Sequence, residues 1–138
     1  MLSQLKTIHA ELRTAIAELE AQTAMSKPDQ AVLPLARLKL VRTSSRRKAL
    51  IDCTISPNLL DVSLAEAGQM RALRRGDTDL AVETSQHIAR WTMSSIVADW
   101  DGYRGAAADI GRNLRRRIAD ESALFYPLLE ARPALRLS

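Results

Sequence analysis

The stretch YRGAAADIGRNLRRRIADESALFYPLL, residues 103–129, decides the fold. Within it Tyr103, Ala107, Ile110, Leu114, Arg117, Glu121, Leu124 and Leu128 follow one another at spacings that alternate four and three. That rhythm places all eight on one face of an α-helix. Six of them build an apolar stripe, and Arg117 and Glu121 interrupt it four residues apart. A bare guanidinium on a buried stripe would be very costly. Arg117 and Glu121 are therefore expected to pair, with Arg47 approaching from an earlier segment, unless Arg117 runs along the surface to solvent. Pro127 comes at the end of the stripe and Pro133 beyond it.

Upstream, Asp101-Gly102 reads as a tight connection, preceded by a segment from 78 to 100 with Leu80, His87, Trp91, Ser94 and Ala98 near one face. Gly76 suits a helix end, and Asp77 or Thr78 suits the next N-cap. Before them, residues 59–75 read as a shorter helical piece. Ser56-Pro57-Asn58 closes a segment from 31 to 55, in which Pro34 fits only the first turn. The opening segment sets Leu2, Leu5, Ile8, Leu12, Ile16 and Leu19 on one face. Met25-Ser26-Lys27-Pro28-Asp29 breaks it. The expectation is all-α: four long antiparallel helices near 2–24, 31–55, 78–100 and 103–130, with a short helix between the second and third. Such segments with short links suit an up-down-up-down four-helix bundle, one domain over 1–138.

Aromatics are 4% of the chain, so the core must come from Leu, Ile, Val and Ala, which suits helix packing. The net charge is +4. No base-reading motif accompanies the basic residues, so nucleic acid is not the expected partner. Cys53 is the lone cysteine, which excludes an intrachain disulfide and a cysteine zinc site. It reads as a small buried or half-buried hydrophobe. The first twenty residues lack a signal peptide's apolar stretch. No apolar run approaches the length of a membrane span. The expected location is the cytoplasm, with no membrane partner.

Four motifs stand in order along the chain. They are His9-Ala10-Glu11-Leu12, the run from Arg47 to Pro57, His87-Ile88-Ala89-Arg90-Trp91, and Arg117 through Glu121 to Phe125-Tyr126-Pro127-Leu128-Leu129. Arg47 stands as far before Pro57 as Arg117 stands before Pro127. This ordered set resembles the hemerythrin-like, or HHE cation-binding, family over nearly the whole chain. The resemblance implies a bundle whose inward histidines and carboxylates hold non-haem iron. His9, His87 and Glu121 match the first-helix, third-helix and fourth-helix ligands. Arg47 and Arg117 stand where two further histidines are expected, and Ile51 where an acid is expected.

A di-iron centre in such a bundle takes about five imidazoles and bridging carboxylates from facing helices. The chain has two histidines. Arginine is always protonated and cannot ligate a cation. The expectation is a degenerate member of the family, a non-catalytic binding or regulatory module without a cofactor. Its partner is an unidentified protein or small molecule, and its bundle allows a homodimer. The first alternative is an iron or oxygen-binding protein with an unusual ligand set, in which His9, His87 and Glu121 hold metal. The second is a basic helical protein that grips nucleic acid or an acidic partner through Arg42, Arg46, Arg47, Lys48, Arg71, Arg74 and Arg75. An enzyme is not expected. There is no His-Glu-x-x-His, no Gly-rich phosphate loop, and no nucleophile beside a base.

Overall fold

The structure, a computed structural model, describes residues 1–136. They are mostly helical, with no strand among them. Four helices are long: α1 (Leu2–Thr23), α2 (Leu33–Leu50), α3 (Leu64–Arg90) and α5 (Trp100–Glu130). Two are short: α4 (Met93–Ala98) and α6 (Pro133–Arg136). A π-helical turn at Ile51–Ile55 and a 3-10 turn at Ser56–Asn58 finish the α2 segment. None of the described helices is long and apolar enough to cross a membrane.

Side-chain pairs fix how the helices lie. Glu18 meets Lys39 and Glu11 meets Arg46, so α2 runs back along α1. Trp100 and Arg104 donate to the carbonyls of Met25 and Thr23, while the other end of α5 brings Tyr126 to His9. That sets α5 opposite in sense to α1. His87 sits beside Tyr103 and Asp77 near Arg117, so α3 runs opposite to α5. Burial follows the expected stripe on α1, but on α5 Ile110, Arg117 and Leu124 are only half-buried while Gly111, Ile118 and Phe125 are buried, and of the face read over 78–100 Ser94 and Ala98 are exposed. On α1 the buried residues are Leu2, Leu5, Ile8, His9, Leu12, Ala15, Ile16 and Leu19.

The core is two apolar clusters. One gathers Leu12, Ile16, Leu40, Leu80, Leu114 and Ile118, and the other gathers Leu5, Ile8, Ile51, Ile55, Phe125 and Leu129. Between them on their helices lie the buried polar residues His9 on α1, Arg47 on α2 and Glu121 on α5. A polar layer thus divides the core.

Several boundaries differ from those read in the sequence. Residues 64–90 form one helix through Gly76, which is helical and not a terminus. Asp77 is accordingly a buried mid-helix residue and not an N-cap. The true start of α3 is a capping box, in which Ser63 and Glu66 bond each other's backbone N–H. The segment from 78 to 100 is broken where Thr92 caps α4 and again where Asp99 caps α5. The last long helix begins at Trp100 and not at Tyr103, while its end at Glu130, past Pro127, is as read. Cys53 is exposed in the π turn, not buried.

Candidate functional site: a buried ion network beside an open cleft

Arg47 is the centre of the polar layer, with 1% of its surface exposed. One guanidinium nitrogen, Nη1, donates to Glu121 Oε2. The other, Nη2, donates to Asp77 Oδ1 at 2.9 Å. His9, wholly buried, lies 2.9 Å through Nε2 from the second Glu121 oxygen, Oε1. On its far side His9 Nδ1 lies 2.7 Å from the Tyr126 hydroxyl and 3.4 Å from that of Ser122. Arg117 completes the chain of contacts. Its Nε stands 3.5 Å from Asp77 Oδ1 and its Nη1 donates to the Leu73 carbonyl at 2.9 Å.

The layer sets two guanidiniums against two carboxylates. Taking ions out of water costs several kcal/mol each, so such groups persist only where each meets an opposite charge in good geometry. Here α1, α2, α3 and α5 each supply a member. Gly76 explains how Arg117 reaches Asp77. A Cβ at Gly76 would collide with the guanidinium of Arg117. The glycine leaves α3 a bare backbone patch over which the side chain lies.

The donor set does not fit a metal ion. Both oxygens of Glu121 are engaged, one by a guanidinium that cannot ligate a cation. Among the described residues, no three His, Cys, Asp or Glu side chains are grouped so as to hold one. Ile51, at the position matched to an acid, is buried in the apolar cluster with Leu5 and Phe125.

Of the residues singled out by sequence, His9, Arg47 and Glu121 come together, and Arg117 joins them through Asp77. Arg117 pairs with Asp77 and not with Glu121. His87 stands apart. Ten residues separate it from Asp77 along one helix, about 15 Å of axis. Asp77, not His87, is the residue that α3 contributes to the network. Sequence reading missed it because Gly76 and Asp77 together imitate a helix end followed by a cap.

His87 belongs to a cleft between α2 and α3, floored by α5. Its volume is about 630 Å³, and its apolar lining includes Leu38, Val41, Leu80, Ile88, Ile110 and Leu114. Two arginines of α2 reach across to α3 or its end: Arg47 to Asp77, and Arg37 to the Trp91 carbonyl at 2.7 Å. The Arg37 guanidinium also lies 5.5 Å from the centre of the Tyr103 ring. His87 packs on the same ring at 5.8 Å. Burial, helped by the charge of Arg37, holds the His87 imidazolium below its ordinary pKa. Burial raises the Tyr103 phenol, with Arg37 opposing the shift.

Of the basic run on α2, Arg42 and Arg46 are exposed while Arg47 and Lys48 are drawn into ion pairs. Arg46 pairs with Glu11, Lys48 with Asp52, and Arg47 is buried. Arg71, Arg74 and Arg75 are exposed on α3. Compared with family models, curated proteins and solved structures, the chain matches none.

Proposed function

We propose that this chain is a metal-free, hemerythrin-like binding module and not an enzyme. Its four long helices are read as an up-down-up-down bundle, in keeping with the opposed pairing of α1 with α2, α1 with α5 and α3 with α5. The observation that carries the reading is Arg47. Its guanidinium occupies the one carboxylate, Glu121, that the resemblance assigns to metal. A fixed positive charge in a buried site repels a divalent cation, and the repulsion is strong where the dielectric is low. The residues of the polar layer then hold four helices in register, and binding falls to the surface. The open α2–α3 side is the natural place for it, because pockets of a few hundred Å³ between helices are common ligand sites.

The test is elemental. Purified protein is loaded aerobically with ferrous iron, freed of excess, and assayed for iron and zinc. The expected result is no stoichiometric metal and no oxygen-to-iron charge-transfer band. A dinuclear complement of iron would overturn the reading and favour the iron or oxygen-binding alternative.

A further inference from the structure

The cleft between α2 and α3 carries more than a general capacity to bind. Arg37 is partly buried, and among the described residues it forms no ion pair. Its one hydrogen bond is to a neutral carbonyl, that of Trp91. A guanidinium set among apolar side chains is stabilised by an anion. The hydroxyl of Tyr103, a residue fully buried behind the same wall and closed to solvent, has no hydrogen-bond partner among the described residues. Neither does Nε of Arg47, further along the same cleft. Among the described residues the one acid in the lining is Asp77, which is already held by Arg47 and Arg117. Among the described lining residues the cleft therefore has one unpaired guanidinium, that of Arg37, and no carboxylate to spare.

The rest of the lining is aliphatic. Leu38 and Ile88 lie at the mouth, 44% and 47% exposed, and Leu80 and Leu114 lie deeper and are buried. Such a surface suits a hydrocarbon chain or ring. A volume of about 630 Å³ matches a small molecule rather than a protein segment.

We infer that this cleft binds a small apolar carboxylic acid as its anion, with the carboxylate against Arg37 and the hydrocarbon body between Leu38, Val41, Leu80 and Ile88. A carboxylate matches the planar fork of a guanidinium in two parallel bonds, which a hydroxyl or an amine cannot do. The inference rests on the binding-module reading for its role, but not on the absence of iron. A chain that took up iron would still present this cleft.

The experiment is calorimetric titration of the full chain with decanoate, 1-decanol and decylammonium, each below its aggregation concentration. Decanoate is expected to bind one to one. Decanol should bind roughly tenfold or more weakly, the loss of a charge-assisted hydrogen bond. Decylammonium should bind no better than decanol. Two variants locate the site. Arg37→Gln should bring decanoate down to the affinity of decanol. Ile88→Glu, at an exposed position that leaves the core alone, should abolish decanoate binding, with an unchanged circular dichroism spectrum and melting curve. No binding of decanoate would overturn the inference, as would equal binding of all three probes. Decanoate binding untouched by Ile88→Glu would overturn the location.

Discussion

Arg47 on α2 donates to Asp77 on α3 across 2.9 Å, and both residues are less than 5% exposed. This bond, with that of Arg37 to the Trp91 carbonyl, ties together two helices that are otherwise parted by the cleft. Removing Arg47 would leave Asp77 with Arg117 alone and Glu121 with His9 alone. Arg47→Met should cost about 3–5 kcal/mol, the usual penalty for breaking a buried ion pair from one side. Urea denaturation measures it. A loss under about 1 kcal/mol would mean that the layer is wet or that Arg47 points elsewhere.

Gly76 offers a sign test of the Arg117 contact. In an exposed helix interior Gly→Ala stabilises by about 1 kcal/mol. At Gly76 the new methyl would push the Arg117 guanidinium off Leu73 O and Asp77. Hydrogen bonds to charged groups are worth about 1.5–3 kcal/mol. Gly76→Ala should therefore destabilise the native chain by about 1 kcal/mol, yet stabilise an Arg117→Ala background. Denaturation midpoints of the four proteins in that cycle decide it, and the same sign in both backgrounds would contradict the contact.

His87 makes stability depend on pH. Its folded value is lowered from 6.5, by burial first and then by Arg37. As pH falls through the ordinary value, the unfolded chain takes up a proton that the folded chain refuses. The stability that His87 contributes is full above that value and is lost as pH falls toward the lowered folded value. Urea midpoints should fall between pH 8 and pH 5.5, and less so in His87→Gln. Equal slopes in the two proteins would place the titration elsewhere.

His9 has a tautomer fixed by its neighbours. An ionised carboxylate only accepts, so Nε2 must carry the proton that faces Glu121 Oε1 at 2.9 Å. Nitrogen-15 shifts of the two ring nitrogens read this directly. Tyr126→Phe should leave Nε2 protonated, remove the 2.7 Å partner of Nδ1, and cost about 1 kcal/mol. A proton resident on Nδ1 alone would contradict the bond to Glu121.

The helical class and the stripe of α1 were legible because apolar spacing repeats over many turns, and that of α5 in part, since Gly111, Ile118 and Phe125 are buried beside it. That Glu121 would need a guanidinium was legible, because a charge cannot stand alone on a buried face, but the spacing pointed to Arg117 as its partner, and Arg47 takes that place while Arg117 goes to Asp77. Three features were not. Gly76 and Asp77 are the residues of a helix end, yet α3 runs through them, with Arg117 lying over the bare Gly76. The π turn after Leu50 has no distinctive residues, since it is a change of hydrogen-bond register. Asp77 is hidden because α3 buries only Asp77 and Leu80 fully, so its inward face has almost no apolar periodicity. The start of α3, by contrast, was available in Ser63-x-x-Glu66, a capping box written in the sequence.

The central claim, that Arg47 and not a metal satisfies Glu121, is tested most directly by thermal melting of the native chain with excess ferrous iron and with a chelator. A ligand that binds only the folded state raises its melting temperature by mass action. A core closed by Arg47 predicts the same melting temperature in both conditions. A melting temperature that rises with iron and falls with the chelator would contradict it.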